Sequence, residues 1–531
     1  VTSRAPAWRA WAVAAAIALV AAAVHAWLNR GQVLSPLADE TLLLPIALRQ
    51  AHPSLYAGDT WLATTAGVFS IPYSWLVAKL LAVFDDPVVA MRVLSMPAHL
   101  VLLAGTWRLV ERIAGRASAI VATVLVTLPP CSVLVFAPGA ALPRDLVFAA
   151  LPWLAAELVD RPTTRRALVV FFALGVLANL HPLTGLHFAA LFLLVGLVVD
   201  RTRRGLLDAA TRGLAFAAGA APYAVQYLSR PAAVGEVDPT VYAWRLAEMG
   251  GESIGGFAAR MEPAIWLSAA AAIVLVVTRR RGVAPPRPLV AAWIVAFVLG
   301  ALGPTLGRIA PPLRAVQFAR LERVADWCAV VVIAACLVAA IRERMSVVAS
   351  SVCLLVAAVA SGAFFDAAAR RGPIRVIGRS IDRVAGVPAA SPAPPGLTSR
   401  TDVVDPTSES AREQFLAVCR FARETTPDDA LFLVPPEHWA PFRVYARRGV
   451  AVTRKEGGAA LSFLGGAGMD WFRDYAEAVG VYAQGDADAW TRLARKWNVS
   501  YVVVDWHVGR LPDWPEVFAA KNFRVLDARR K

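Results

Sequence analysis

Two adjacent acids, Asp39 and Glu40, stand just beyond an apolar run at residues 11–28, in the sequence Ser35-Pro36-Leu37-Ala38-Asp39-Glu40. A carboxylate at the aqueous edge of a membrane can take the proton that an attacking oxygen must lose. A general base so placed contributes about 10²- to 10⁴-fold in rate. Asp39 is the first choice for that base. Glu40 points to a different side of a helix or strand, so it would orient an acceptor or hold a cation instead. Two further sets of residues could join such chemistry: His181 and His187, and the arginines Arg144, Arg308, Arg314 and Arg320. His181 sits at the mouth of an apolar run and His187 a turn deeper. Ionisable groups in such runs are functional candidates, although a neutral histidine near an interface is also cheap packing.

These residues need a membrane scaffold. The chain has 531 residues, of which 57% are apolar, with a mean hydropathy of +0.54. Soluble domains lie nearer ~45–50% apolar, and many runs here approach the ~20 residues that a span requires. The net charge of +15 is gathered in short loops between these runs, where it sets orientation and meets anionic head groups. That distribution argues against nucleic-acid binding. Five cysteines without a C-x-x-C pair indicate neither a disulfide framework nor a zinc site.

Arginine-rich loops at residues 108–116, 161–166, 201–204, 279–281 and 342–344 alternate with poorer ones at 137–145, 179–185, 229–262 and 303–322. The positive-inside rule makes the first set cytoplasmic, and Arg4 and Arg9 place the N-terminus there too. The scheme is consistent only if residues 64–84 lie along the outer surface. Tyr73, Trp75 and Lys79 suit such an interfacial helix. The first apolar run reads as an uncleaved helix, although Val24-His25-Ala26 loosely fits a signal-peptidase site. About eleven spans result, at 11–28, 88–109, 117–136, 142–158, 167–180, 183–199, 206–228, 264–277, 289–306, 324–341 and 347–365. The expected domains are a transmembrane domain at 1–366 with a first outer loop at 29–87, a Pro/Ala/Ser-rich linker at 367–408, and a soluble α/β domain at 409–531 outside the cytoplasm.

In the tail, Ser410-x-x-Glu413 reads as a capping box before an amphipathic run with Phe415, Val418, Cys419 and Ala422. Strands are expected at 431–434, 450–452, 501–504 and 523–526, and helices at 471–482 and 487–497. Gly465-Gly466-Ala467-Gly468 could cradle a phosphate but lacks a nucleotide-binding spacing, so a turn is the simpler reading. Glu437-His438 and Asp505-Trp506-His507 put acids near histidines, as ordinary loop polarity also would. Arg443, Arg447, Arg448, Arg454 and Lys455 read by default as a solvated basic face.

The order of parts adds a resemblance. One helix, an outer loop with Asp39-Glu40, and a segment with Ile71-Pro72-Tyr73-Ser74-Trp75-Leu76 come first. Ala90-Met91-Arg92-Val93-Leu94-Ser95, Gly115-Arg116 and Pro143-Arg144-Asp145-Leu146 follow. The chain resembles the GT-C superfamily of polyprenol-dependent glycosyltransferases, best over residues 11–158. Its tail is similar to that of bacterial GT-C-like membrane proteins around Thr426-Pro427-Asp428-Asp429-Ala430 and Phe442-Arg443-x-Tyr445-x-x-Arg448. The resemblance implies a transferase of the bacterial inner membrane. It would move a hexose or pentose from a polyprenyl-phosphate donor to a glycan, lipid or protein acceptor. Asp39 would be catalytic, with Glu40 beside it, and Asp145 would be the second acid. The departing phosphate would need cations, for which Arg144, Arg308, Arg314 and Arg320 are candidates beside His181; lipid head groups or helix boundaries account for these arginines too. Oxygen ligands would suit Mg²⁺ or Mn²⁺ if an ion bridged Asp39, Asp145 and phosphate. The competing reading is a transporter or assembly scaffold for lipid-linked glycans, which should carry ionisable groups or broken helices at mid-membrane.

Overall fold

In the computed structural model, the residues described are 12, 15, 16, 19, 20, 39–69, 71–84, 86–127, 142–159, 163–229, 237–241, 244, 254–280, 285, 287–309, 318–342, 409–505, 508 and 510–529. The chain divides into two units. One comprises residues 1–29, 91–229 and 250–389, the other 30–90, 230–249 and 390–531. The first expected span lies almost wholly outside the described residues. The last one and the linker lie wholly outside them.

The first three described helices are α1 (Glu40–Ala51), α2 (Thr60–Ala66) and α3 (Ile71–Val83), all in the second unit. The first unit is helical throughout its described part. Its helices are α4 (Pro87–Ala114, from residue 91 onward), α5 (Arg116–Thr127), α6 (Pro143–Leu158), α7 (Thr164–Ala178), α8 (Pro182–Val199), α9 (Arg203–Leu228), α10 (Ile254–Arg279), α11 (Arg287–Ile309) and α12 (Glu322–Arg342). Local chemistry sets the ends. Gly115 adopts φ 82° between α4 and α5, a conformation open to glycine without a Cβ clash. Pro143 and Pro182 open α6 and α8, where a missing N–H costs nothing. Thr163 and Thr202 cap α7 and α9 through their side chains.

Among the described residues, three helices are long and apolar enough to cross a membrane: Pro87–Ala114, Pro182–Val199 and Glu322–Ile341. They use that apolarity differently. The window in α12 is 89% buried, against 28% in α8. Thus α12 fills the middle of the unit, packed against α5, α10 and α11. Apolar side chains such as Val169, Phe172, Leu194, Leu206, Leu214 and Leu228 face outward. A helix apolar on all sides must be buried in protein or face lipid; α12 is buried in protein, and the outward apolar faces of the other helices have the composition that lipid would require.

α7 and α9 cross closely. A Cβ on Gly175 would overlap the Phe216 carbonyl oxygen, and one on Gly219 the Phe172 carbonyl oxygen. Small residues permit such crossings in apolar surroundings. Asn179 stitches the crossing: its Nδ2 donates to Gly219 O at 3.0 Å and its Oδ1 accepts from Tyr223 N at 2.8 Å. Pro222, inside α9, disturbs the helical ladder there, and the asparagine amide satisfies the groups it releases.

The second unit contains a five-stranded sheet. Its elements are α13 (Glu409–Thr425), β1 (Leu431–Leu433), α14 (Phe442–Ala446), β2 (Gly449–Val450), a 3₁₀ turn (Arg454–Glu456), α15 (Gly457–Phe463), α16 (Gly466–Gln484), α17 (Ala487–Lys496), β3 (Tyr501–Asp505), β4 (Glu516–Ala519) and β5 (Phe523–Asp527). Strand order is β2-β1-β3-β5-β4. β1 runs parallel to β2 and β3, while β5 is antiparallel to β3 and β4. Alternate strand residues face opposite cores. Phe432, Tyr501, Val503, Phe523 and Val525 join Phe415, Val418, Cys419 and Ala422 of α13. Leu431, Leu433, Val502, Val504 and Leu526 join Trp471 and Trp490 on the other side, together with Trp61 from α2 and Val241 and Trp244. The α13 residues expected to form an apolar stripe are therefore the ones buried.

The structure corrects three details. Ser410 lies inside α13 rather than capping it. The surface segment expected at 64–84 is two helices, α2 and α3, with Gly67 at the end of the first; α3 exposes Ile71, Trp75 and Val83, and Lys79 Nζ lies 5.8 Å from the Trp75 ring centroid. Edge strand β4, largely exposed, was not foreseen. The glycine run has a packing role: Gly465 takes φ 54°, and a Cβ on Gly468 would lie 2.5 Å from Ala460 O.

Burial pushes the Cys419 thiol well above its ordinary value. Since the thiolate is the nucleophile, Cys419 should resist iodoacetamide at pH 8 in the folded protein and react after denaturation. Mass spectrometry of the alkylated peptide provides the check, and full labelling of the native protein would contradict the packing.

Candidate functional site

In the first unit, several of the expected residues line one small cavity of about 60 Å³. Its walls are Arg144, Asp145, Phe148, Thr184, His187, Phe188, Arg320, Arg323 and Val324. Three helix starts supply them: Arg144 and Asp145 open α6, Thr184 and His187 lie in the first turns of α8, and Arg320 and Arg323 bracket the start of α12. Helix N-termini carry positive partial charge and favour anions. Three guanidinium groups reinforce that field, and Asp145 partly offsets it.

Asp145 is buried. Its carboxylate accepts the Leu142 backbone N–H at 3.1 Å and lies 3.7 Å from Arg144 Nε. It therefore closes the start of α6 and holds Arg144 beside the cavity. His187 is buried, with its ring centroid 6.1 Å from that of Phe318. His181 is not among the lining residues. Its Nδ1 accepts the Thr184 N–H at 3.2 Å and lies 2.8 Å from Thr184 Oγ1, which caps α8. Arg308 belongs to α11, but its side chain is outside the description; Arg314 lies outside the described residues altogether. Arg323, one turn from Arg320, also lines the cavity, and the sequence analysis did not single it out.

A second cavity of about 180 Å³ adjoins the first at Val324 and is almost wholly apolar. Leu109, Leu151, Phe171, Phe192, Leu289 and Trp327 are among its walls.

In the second unit, Asp39 immediately precedes α1. Its carbonyl accepts the N–H groups of Leu42 and Leu43, but its side chain makes no capping bond. Instead, Asp39 Oδ1 accepts from Lys455 Nζ at 2.8 Å. The Asp39 side chain is 43% exposed, whereas Glu40 is buried at 4%.

The other first-loop acids have structural duties. Asp86 is exposed and accepts the N–H groups of Val88 and Val89 at the start of α4. Asp59 is fully buried. Its Oδ1 accepts from Leu62 N at 2.9 Å and Arg443 Nη2 at 3.2 Å; its Oδ2 accepts from Arg443 Nε at 2.6 Å and Val450 N at 2.9 Å. Arg443 also donates to Glu456, to Thr453 Oγ1 at 3.3 Å and to Val450 O at 3.1 Å. Every guanidinium N–H thus has an acceptor. Burial alone would lower the Arg443 pKa, but Asp59 and Glu456 outweigh it and hold it above the ordinary arginine value. Tyr56 Oη donates to the Arg443 carbonyl at 2.7 Å.

The basic cluster is therefore not a solvated face at its centre. Arg443 and Arg448 are 0% and 3% exposed. Arg448 Nε donates to Thr426 Oγ1 at 3.2 Å, Nη2 donates to Thr426 O at 2.6 Å, and Nη1 lies 3.0 Å from Asp428 Oδ1. The tail's two quoted motifs thus bind each other.

Among the described residues, no three or more His, Cys, Asp or Glu gather as a metal site.

A profile of a domain of unknown function, DUF6798, matches residues 413–477. No curated protein matches the chain. Among solved structures, ArnT from Cupriavidus metallidurans bound to undecaprenyl phosphate is similar at 14% identity and a TM-score of 0.53, over 97% of each chain. The same protein in its apo state gives 14% and 0.51 over 98% of each. An Archaeoglobus fulgidus oligosaccharyltransferase tethered with an acceptor peptide containing the NVT sequon gives 11% and 0.46, over 92% of this chain and 68% of that one. Across almost its whole length the chain has a fold in common with ArnT.

Proposed function

We propose that the chain is a membrane glycosyltransferase that moves a sugar from a polyprenyl-phosphate-linked donor to an acceptor outside the cytoplasm. The arginine-lined cavity at three helix starts carries this reading. It is an anion site beside an apolar cavity, which suits a phosphate on a greasy chain. The shared fold with ArnT, solved bound to undecaprenyl phosphate, supports it. In the proposed reaction, the acceptor oxygen bonds to the anomeric carbon as the bond from that carbon to the phosphate oxygen breaks. The proton passes to Asp39. The electron pair leaves on polyprenyl phosphate, whose charge needs fixed cations; Arg144, Arg320 and Arg323 of the first unit are proposed for that charge and Asp39 of the second unit for the proton, each on the evidence of its own unit. The placement belongs to the same proposal: about eleven spans in a bacterial inner membrane, the N-terminus inside and the α/β domain outside.

The test is reconstitution of the full chain in proteoliposomes with undecaprenyl-phosphate-linked hexoses and pentoses, offering lipid, glycan and peptide acceptors. Labelled sugar should move to an acceptor. Movement of the intact donor between leaflets without transfer would favour a transporter instead. The same assay with and without EDTA reads any need for Mg²⁺ or Mn²⁺.

A narrower expectation concerns the cavity. Charge-assisted hydrogen bonds contribute ~1.5–3 kcal/mol each, so replacing Arg320 or Arg323 by Ala should raise the donor KM about 10- to 100-fold. Steady-state kinetics would show it; unchanged KM in both variants would remove the cavity as the phosphate site.

A further inference from the structure

We infer that Lys455, from the C-terminal α/β part of the chain, is the positioning residue for the first-loop carboxylate Asp39. The inference rests on the reading of Asp39 as base and adds to it the group that holds that base. The two residues are 416 positions apart, yet Lys455 Nζ donates to Asp39 Oδ1 at 2.8 Å. Most surface lysines reach such contacts on a mobile stem and gain little. Lys455 differs, because its side chain is only 13% exposed and its turn is tied down on several sides.

The 3₁₀ turn that carries Lys455 is closed at its start by Thr453, whose N–H donates to Glu456 Oε2 at 2.9 Å. Arg454 N donates to Pro436 O at 2.8 Å. Glu456 is bound by Arg443, and Arg443 in turn by Asp59 of the first-loop segment. The turn packs against both α1 and α2. A chain of buried ionic contacts therefore fixes the platform from which the ammonium reaches Asp39. Asp39 stands at the very start of α1 without a capping bond from its side chain. The lysine supplies the orientation that helix capping does not. Misplacing a reacting group by about 1 Å can cost ~10²-fold in rate, which gives the inference a measurable size.

The experiment uses the full-length protein in proteoliposomes, with the undecaprenyl-phosphate sugar that the wild type transfers. Lys455→Met should lower kcat about 10- to 100-fold and leave the donor KM and the thermal melt unchanged. Lys455→Arg, which keeps a cation in reach, should restore most of the loss. Asp39→Asn combined with Lys455→Met should be no slower than Asp39→Asn alone, because the lysine acts only through the carboxylate. If Lys455→Met keeps wild-type kcat while Asp39→Asn is inactive, Lys455 does not position the base and the inference falls alone. A fall in kcat accompanied by a lowered melt that Lys455→Arg does not correct also overturns it, since the role is then structural. If Asp39→Asn itself transfers at the wild-type rate, the reading of Asp39 fails and the inference with it.

Discussion

Asp39→Asn should slow sugar transfer by about 10²- to 10⁴-fold, the range a positioned general base supplies, while leaving the protein folded. The structure separates these two effects. The Asp39 side chain is 43% exposed and makes no capping bond to α1. With Asp39 itself partly open to solvent, its pair with Lys455 adds ~0–1 kcal/mol to stability, so the lysine orients the carboxylate more than it holds the fold. Asparagine keeps the shape, so a large rate loss could not be charged to unfolding. The neighbouring acids sharpen the choice. Glu40 is buried, Asp59 is filled by Arg443 and two backbone N–H groups, and Asp86 accepts at the start of α4. Among the described acids of residues 30–90, Asp39 combines exposure with a side chain not engaged in building a helix end. Steady-state transfer by Asp39→Asn and Glu40→Gln, with matched thermal melts, is the measurement. Wild-type turnover in Asp39→Asn would remove it as base.

The sequence was informative wherever chemistry is local. Apolar runs marked α4 to α12 to within a few residues at most ends. Short apolar runs marked β1, β3 and β5, and the stripe of Phe415, Val418, Cys419 and Ala422 gave the buried face of α13. The GT-C resemblance pointed to Asp145, and outer-side placement to Arg144 and Arg320; all three line one cavity because three helices begin there. What stayed hidden depends on contacts distant in sequence. Nothing near Asp59 announces Arg443, 384 residues away. An arginine among other arginines reads as solvated until its acceptors are counted. His181 carries a local duty that its place at a helix mouth did not announce: its Nδ1 accepts the Thr184 N–H and caps α8. Strand β4 escaped because an exposed edge strand has little apolar alternation to detect.

Arg443→Met should destabilise the second unit by about 3–5 kcal/mol, the usual cost of removing one partner of a buried ion pair. Magnitude follows from what the change leaves behind. Asp59 and Glu456 are both 0% exposed in their side chains, so methionine strands two carboxylates without their shared cation. The loss is not one of volume, since methionine fills comparable space. Arg443→Lys should recover only part of it, because three ammonium protons cannot reproduce five donors in a planar fork. Replacing all three groups together, with Asp59→Asn and Glu456→Gln added to Arg443→Met, should cost less than Arg443→Met alone, since the stranded charges are then gone. Hydrogen exchange at β1 and β2, beside the triad, reads the local stability; protection equal to wild type in Arg443→Met would contradict the ionic account. The functional consequence follows the same contacts. Glu456 closes the turn that carries Lys455, and Asp59 begins α2 in the segment that carries Asp39. Arg443→Met should therefore lower transfer together with protection, whereas Asp39→Asn lowers transfer alone.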